Sequence, residues 1–278
     1  METFARVSLN IKSIFQTENH CYFLTATGTG GLEAALINCV KKDQKILTIN
    51  AGKFGERWGK LAKSYGVAFQ ELNCQWGDEI PLEKIEDKLR SGEFHALAFQ
   101  ACETSTGAML PTEQLVKICK KYDVLSMVDG ITALGAFSLP MDRWGIDVLI
   151  GGSQKSFMLP TGMSFVSLSP RAESVQADIP RYYFDLKAEK KANLENKTRY
   201  STPTHFVEAL DLVLNHIVCE VGLDKYFEVI KQKAEFFRNK VNLEVYPTVA
   251  SPSLTCLAVP EGQSAKEIKQ KVENDGFI

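Results

Sequence analysis

The sequence predicts an α/β fold in which a mostly parallel sheet is covered by helices on both faces. The first observation is a series of short apolar runs with the length and composition of strands: "CYFLTA" (21–26), "KILTI" (45–49), "VAFQEL" (67–72), "HALAFQA" (95–101), "VLSMVD" (124–129), "DVLIG" (147–151) and "MSFVSLS" (163–169). The second is that helical patterns such as "GGLEAALINCVKK", "LEKIEDKLRSG" and "TEQLVKICKKY" separate many of these runs. Because helical crossovers join parallel strands, the alternation predicts a seven-stranded, mostly parallel sheet, with ligands beyond the carboxyl ends of its strands.

The two ends of the chain depart from this alternation. At the amino end, Phe4, Val7 and Ile11 recur at helical spacing and predict an amphipathic helix rather than a signal peptide. After about residue 203, two long amphipathic helices, "THFVEALDLVLNHIVCEVG" and "LDKYFEVIKQKAEFFRNKV", precede a predicted strand "SLTCLAV" and a helix "SAKEIKQKVENDG". We therefore predict a large α/β domain with the N-terminal helix over residues 1–205, and a connecting helix with an incomplete α+β small domain over residues 206–278.

Composition excludes several classes of protein. The formal net charge is −2, with acidic and basic residues interleaved, so no basic face for nucleic acid is predicted. No segment approaches the roughly 20 apolar residues that a membrane span needs. The seven cysteines are scattered without a C-x-x-C pair, and no H-E-x-x-H motif occurs. This pattern predicts reduced, mostly buried thiols in a cytoplasmic protein without a metal site.

A glycine-rich loop follows the first predicted strand in "TATGTGGLEAAL" (25–36). Thr27, Gly28 and Thr29 stand where a helix begins, and the free N–H groups and the positive end of the helix dipole attract an anion there. The loop lacks both the lysine of a P-loop and the G-x-G-x-x-G spacing. An ordinary tight turn with a helix N-cap explains the pattern equally well.

Two further polar segments follow predicted strands. Asp129 ends "VLSMVD", where a carboxylate is costly unless it is paired with a cation or caps a following helix. Thr104 lies in "ETSTGAMLP" (103–111), whose hydroxyl groups either contribute to a site or form a plain turn. Because both segments stand at equivalent strand ends, they are candidates for one shared site.

A single lysine, Lys155, lies in the small polar loop of "VLIGGSQKSFMLPTGMSFVSLS" (148–169), between two apolar runs. Most lysines are solvated surface charges, but this one follows a strand predicted to be central. Desolvation at such a position favours the neutral amine, a nucleophile that can form a Schiff base. Together, an anion site, a carboxylate and a reactive amine match the phosphate, the ring nitrogen and the aldehyde of pyridoxal 5'-phosphate.

The segment "VDGITALGAFSLPMDRWGIDVLIGGSQKSFMLPTGMSFVSLS" (128–169) resembles the core of the class V, fold-type I pyridoxal-phosphate aminotransferases, in the alanine–glyoxylate and serine–pyruvate subgroup. The resemblance runs from about Thr25 to the C-terminus. It implies an enzyme that moves an amino group from a small amino acid, alanine or serine, to a 2-oxo acid, glyoxylate or pyruvate. Relatives continue beyond both ends of this sequence, which is why the small domain is expected to be incomplete.

The same resemblance implies roles for individual residues. Lys155 matches the Schiff-base lysine that also moves the substrate proton, and Asp129 matches the aspartate that holds the pyridine nitrogen. The other residues matched to cofactor contacts in the same subunit are Thr27, Gly28, Thr29 and Gln154 at the phosphate, Phe54 on the ring face, and Thr104 at the ring oxygen or reaction centre.

A homodimer with shared active sites is implied as well, because Tyr200 and Thr202 match residues that reach the cofactor phosphate of the other subunit. Two alternatives remain. A cysteine desulfurase or lyase on the same fold would need a catalytic cysteine in a later loop. However, Cys219 and Cys256 fall in a predicted helix and a predicted strand, which favours core packing, and Gln154 stands where that branch usually has histidine. The other alternative is a truncated homologue without turnover.

Overall fold

The computed structural model describes residues 2–277 and places the seven strands predicted between residues 21 and 169 in one sheet. The strands are β1 Cys21–Leu24, β2 Lys45–Asn50, β3 Ala68–Asn73, β4 Ala96–Gln100, β5 Cys102–Glu103, β6 Ala108–Met109, β7 Leu125–Asp129, β8 Val148–Gly152 and β9 Ser164–Leu168. The order across the sheet is β1-β9-β8-β7-β4-β2-β3, and a separate ribbon pairs β5 with β6. Neighbours from β8 to β3 are parallel, while β9 is antiparallel to both β1 and β8. The predicted mostly parallel α/β sheet is confirmed.

Helices connect most of the strands. They are α1 Glu2–Phe15, α2 Gly28–Cys39, α3 Glu56–Ser64, α4 Leu82–Arg90, α5 Thr112–Lys121, α6 Met141–Trp144, α7 Pro170–Glu173, α8 Leu186–Asn193, α9 Thr204–Leu214, α10 Leu223–Lys240 and α11 Ala265–Asn274, with a π-helix over Asn215–Val221. The predicted N-terminal helix is confirmed by α1, whose Phe4, Val7 and Ile11 are buried. Within residues 2–277, no helix combines the length and the apolar character needed to cross a membrane.

Both faces of the sheet are covered, because its strands alternate between two apolar cores. In β4, Leu97 and Phe99 belong to a core that includes residues of α1, α5 and α9. The intervening Ala96 and Ala98 belong to a second core with residues of α2 and α3. All four side chains are fully buried. The central strands are therefore covered on both faces, and their ends remain for a ligand site.

The carboxyl ends of the central strands meet at one edge of the sheet. Asp129, the last residue of β7, is paired in register with Ile150 of β8. The loop that follows β8 carries Gln154 and Lys155 before β9 turns back beside β8. This is the edge at which parallel sheets bind their ligands.

Beyond residue 203 the structure corrects three predictions. "SLTCLAV" forms no strand, because Leu257 makes only an isolated bridge with Val245 and a strand needs a continuous partner. The predicted long helix ends its α-helical part at Leu214 and continues as the π-helix. The wider turn of a π-helix shifts the phase of the apolar pattern, and Cys219 is exposed rather than buried. Cys256, outside any strand, is half-buried.

Candidate active site

The loop after β1 forms the first wall of the candidate site. Thr27 is the N-cap of α2 in an extended conformation (φ −71°, ψ 166°), and its hydroxyl makes no capping hydrogen bond. The helix begins at Gly28, earlier than its apolar pattern indicates, so the N–H groups of Gly28 and Thr29 lie in the unpaired first turn. A Cβ atom at Gly28 would lie 2.4 Å from Cδ1 of Ile131, so a larger residue there would displace the Ile131 side chain.

Asp129 forms a second wall at the end of β7 and is only 6% exposed. Its carboxylate accepts a hydrogen bond from the N–H of Ile131 at 2.9 Å. Burial raises the pKa of Asp129 to about 6, and the negative charge of Glu103 adds a smaller contribution, while that hydrogen bond and the positive charges of Arg57 and Lys155 oppose the rise. Within residues 2–277 no side chain forms an ion pair with Asp129, so the cation expected for this carboxylate is left to a ligand.

Lys155 lies in a loop that hydrogen bonds hold in place. The hydroxyl of the buried Ser153 donates to the carbonyl of Pro160 at 2.7 Å and accepts from the N–H of Met163 at 3.2 Å. Lys155 itself is half-buried and faces the same cavity as Gln154. The Oε1 atom of Gln154 is buried without a hydrogen-bond donor among the described residues, which indicates a partner outside the chain.

Phe54 and Thr104 also line the cavity. The guanidinium carbon of Arg57 lies 4.9 Å from the centre of the Phe54 ring, a cation–π distance. The hydroxyl oxygens of Thr104 and Thr132 lie 2.9 Å apart. Sequence reasoning missed Arg57 and Thr132. No local sequence signal identifies them, because Arg57 lies at the start of α3 and Thr132 in the turn after β7, and packing brings both to the cavity.

These walls enclose a cavity of about 280 Å³. The predicted site residues that line it are Thr27, Gly28, Thr29, Phe54, Thr104, Asp129, Gln154 and Lys155. The lining residues that sequence reasoning missed are Arg57, Cys102, Ile131 and Thr132. Cys102 and Ile131 carry no distinctive sequence signal, because apolar residues next to strands are typical of a core.

Tyr200 and Thr202 are not among the residues that line this cavity. The ring of Tyr200 stacks on that of Tyr183 with centroids 4.8 Å apart. The hydroxyl oxygen of Thr202 lies 2.9 Å from that of Thr198. The structure therefore does not bring these two predicted residues to the Lys155 cavity of their own chain.

A larger cavity, of about 450 Å³, lies beside the β5–β6 ribbon. Apolar side chains such as Leu110, Phe137 and Trp144 line it, together with acidic residues such as Glu113. Among the described residues that line it, none is a lysine, arginine or histidine. It offers neither the amine nor the anion site found in the smaller cavity.

The residues of the smaller cavity fit pyridoxal 5'-phosphate. Free N–H groups and hydroxyls at the start of α2 suit a phosphate, and the buried carboxylate of Asp129 suits a protonated ring nitrogen. Lys155 offers an amine to the aldehyde. The fold and the cavity define the class as a pyridoxal-phosphate enzyme of fold type I.

Comparison with known proteins identifies the family. Residues 1–241 match the family model for class-V aminotransferases. The chain is 34% identical over 274 residues to the soluble hydrogenase 42 kDa subunit of Anabaena cylindrica, an alignment that covers 95% of this chain and 71% of that protein. It is 30% identical over 272 residues to the L-aspartate–glyoxylate aminotransferase of Paracoccus denitrificans, covering 93% of this chain and 68% of that one.

A solved structure agrees with these sequence matches. The alanine–glyoxylate aminotransferase of Nostoc sp. superposes with a TM-score of 0.92 at 26% identity, covering 99% of this chain and 75% of that chain. The chain belongs to the class-V aminotransferase family. It is a pyridoxal-phosphate-dependent transaminase.

Proposed function

We propose that this transaminase moves an amino group from alanine or serine to glyoxylate or pyruvate, with the chemistry in the Lys155 cavity. The observation that carries the site assignment is that Lys155, Asp129 and the start of α2 surround one volume of about 280 Å³. Two relatives support glyoxylate as the acceptor, because their names are L-aspartate–glyoxylate and alanine–glyoxylate aminotransferase. The second name also supports alanine as the donor.

The proposed binding contacts divide the cavity into a phosphate end and a ring end. The assigned phosphate contacts are Thr27, Gly28, Thr29 and Gln154. The dipole of α2 adds partial positive charge to the free N–H groups, so a phosphate is stabilised there without a lysine of its own. At the ring end, Phe54 would offer its ring face to the pyridine and Thr104 its hydroxyl to the ring oxygen.

When bound, pyridoxal phosphate supplies an electron sink for the negative charge that develops at the substrate α-carbon. Asp129 keeps the ring nitrogen protonated, because its buried carboxylate lacks a cationic partner within the described chain. Lys155 would hold the cofactor aldehyde through its Nζ, the amine that faces the cavity. The same Nζ, when free, would accept the proton from the substrate α-carbon as a general base and return it as a general acid.

We also infer a homodimer with shared sites. Tyr200 lies in an exposed aromatic cluster with Tyr183 and Tyr182, and Tyr182 is 74% exposed. The guanidinium carbon of Arg199 lies 5.3 Å from the centre of the Tyr200 ring. Tyrosine and arginine are enriched at protein interfaces. A two-fold axis between this cluster and the cavity would deliver Tyr200 and Thr202 to the phosphate end of the partner's cavity.

The thiols support transamination over sulfur release. Burial raises the pKa of Cys102, which lines the cavity, to about 12, so this thiol stays protonated and is a poor nucleophile. Burial also raises the pKa of Cys256, whose Sγ lies 3.8 Å from the carbonyl oxygen of Thr104. Cys219 is exposed on the π-helix. Because all seven cysteines are free thiols, we infer a reducing compartment, the cytoplasm.

The visible spectrum of the protein with pyridoxal phosphate tests the site. We expect the parent to show an absorbance band that borohydride reduction abolishes, and Lys155→Ala to lack it, because only a primary amine makes the covalent link. Lys117→Ala, an exposed position on α5, is the control and should retain the band. A parent without the band, or a Lys155→Ala variant with it, would contradict the assignment.

The donor is tested by incubating the loaded protein with alanine, serine, aspartate or cysteine, with glyoxylate or pyruvate as acceptor. Formation of glycine from glyoxylate, or of alanine from pyruvate, with the oxo acid of the donor supports the proposal. Sulfide release from cysteine without an acceptor would identify a desulfurase instead. Cofactor binding without turnover of any donor would identify a non-catalytic homologue.

A further inference from the structure

Glu103 is a fully buried carboxylate that lies just outside the cofactor cavity and forms no ion pair within residues 2–277. Its oxygens instead accept hydrogen bonds from several neighbours. The donors are the N–H of Phe54 at 3.2 Å, the N–H of Gly55 at 2.9 Å, the side-chain amide of Gln100 at 2.8 Å, and the N–H and hydroxyl of Ser105 at 3.1 and 2.6 Å. A buried charge is tolerated only when it is satisfied in this way, so the surrounding segments are arranged around Glu103.

Two of these donors begin α3 and carry the ring assigned to the cofactor. Gly55 is the N-cap of α3 and has no side chain with which to cap it. Glu103 therefore supplies the capping carboxylate from a distant segment, at the helix end where the dipole favours negative charge. The main-chain position of Phe54 is held by the same carboxylate.

The rest of the loop is fitted closely to Glu103. A Cβ atom at Gly52 would lie 2.5 Å from Cδ of Glu103, so glycine is required for the loop to close over the carboxylate. The hydroxyl of Ser105 donates to Glu103 and accepts from the N–H of Lys53 at 3.0 Å. These contacts hold residues 52–55 in place.

We propose that Glu103 is a positioning residue, which sets the orientation of the Phe54 ring over the cofactor and the start of the helix that carries Arg57. Phe54 and Arg57 line the cavity, whereas Glu103 does not. Glu103 therefore makes no contact in the cavity, and we assign its main effect to the loop that carries Phe54. This inference rests on the proposed assignment of the cavity to the cofactor.

A double-mutant cycle between Glu103 and Phe54 tests the proposal. Glu103→Gln keeps the shape of the side chain, but it removes the charge and replaces one acceptor oxygen with an amide donor that faces N–H groups. The cofactor Kd and the induced circular dichroism of the bound cofactor are measured for the parent, both single variants and the double variant. We expect Glu103→Gln to weaken binding about tenfold and alter the dichroism when Phe54 is present, and to change Kd less than about twofold in Phe54→Ala.

Asp147→Asn is the matched control. Asp147 is also a buried carboxylate, but its hydrogen bonds come from residues such as Ser126 and Arg171 at the opposite edge of the sheet. This variant should lower the Tm and leave the Kd unchanged. If Glu103→Gln does not fold, Ser105→Ala, which removes the 2.6 Å hydrogen bond, replaces it in the cycle.

The outcomes distinguish the positioning role of Glu103 from the assignment of the cavity to the cofactor. If the parent binds the cofactor and Glu103→Gln changes Kd equally with and without Phe54, the positioning role is wrong and the site assignment stands. An unchanged Kd in Glu103→Gln would do the same. A parent that does not bind pyridoxal phosphate would overturn the site assignment and the positioning role with it.

Discussion

The carboxylate of Asp129 accepts a hydrogen bond from the main-chain N–H of Ile131, and the side chain of Ile131 packs against Gly28 at the start of α2. Ile131 thus connects the carboxylate assigned to the ring nitrogen with the turn assigned to the phosphate. Packing of the Ile131 side chain fixes the distance between the Asp129 carboxylate and the start of α2. The cavity therefore favours ligands whose cationic and anionic groups are separated by that distance.

Asp129→Asn is expected to lower the transamination rate by about 10²-fold or more, because a neutral amide cannot stabilise the proton on the ring nitrogen. The hydrogen bond from Ile131 is retained, since the amide oxygen still accepts it. The measurement is the single-turnover rate at saturating cofactor, with Asp147→Asn as the control for loss of a buried carboxylate elsewhere. A rate equal to that of the parent would refute the assigned role of Asp129.

The same substitution is expected to stabilise the cofactor-free protein. Burial raises the pKa of Asp129 from its ordinary value of 3.8 to about 6. Above pH 6 the folded state therefore holds an ionised carboxylate that is better solvated when unfolded, whereas below about pH 4 both states bind the proton and the penalty vanishes. We expect Asp129→Asn to raise the free energy of unfolding at neutral pH by up to about 3 kcal/mol.

Urea denaturation of both proteins across this pH range measures the effect. The difference between variant and parent should grow as the pH rises from about 4 to about 6 and then become constant. A difference that is the same at every pH would show that the charge of Asp129 is not its source.

Gly28→Ala is expected to weaken cofactor binding about tenfold and to lower the free energy of unfolding by about 1–3 kcal/mol. The new methyl group, 2.4 Å from Cδ1 of Ile131, would displace that side chain from its place in the cavity wall. Gly59→Ala on α3 is the control, because a Cβ atom there would lie 2.9 Å from Cε2 of Phe69, away from the cavity. Titration with pyridoxal phosphate should separate the two variants; an unchanged Kd in Gly28→Ala would count against the phosphate assignment.

Sequence alone could predict the sheet and much of the cavity for one physical reason. Parallel strands bring their carboxyl ends to one edge, so polar residues directly after apolar runs, such as Asp129 and Lys155, were predictable as neighbours. Arg57 and Glu103 were not predictable as neighbours of the site, because their positions depend on how the loop before α3 packs against a segment far along the chain. The absent strand at 253–259 has a similar cause, since an apolar run becomes a strand only beside a partner.

Mixing two inactive variants tests whether the sites are shared between subunits. Lys155→Ala lacks the amine, and a chain with both Tyr200→Ala and Thr202→Ala lacks the groups proposed to reach the partner's phosphate. Each variant alone should be nearly inactive. After dissociation and reassociation of an equal mixture, activity should return to about a quarter of the parent value, because about half of the dimers are hybrids and each hybrid has one intact site. Lys117→Ala mixed with Lys155→Ala controls for the exchange itself. A mixture that stays inactive, or a parent that is monomeric by light scattering, would show that Tyr200 and Thr202 do not serve a neighbouring subunit.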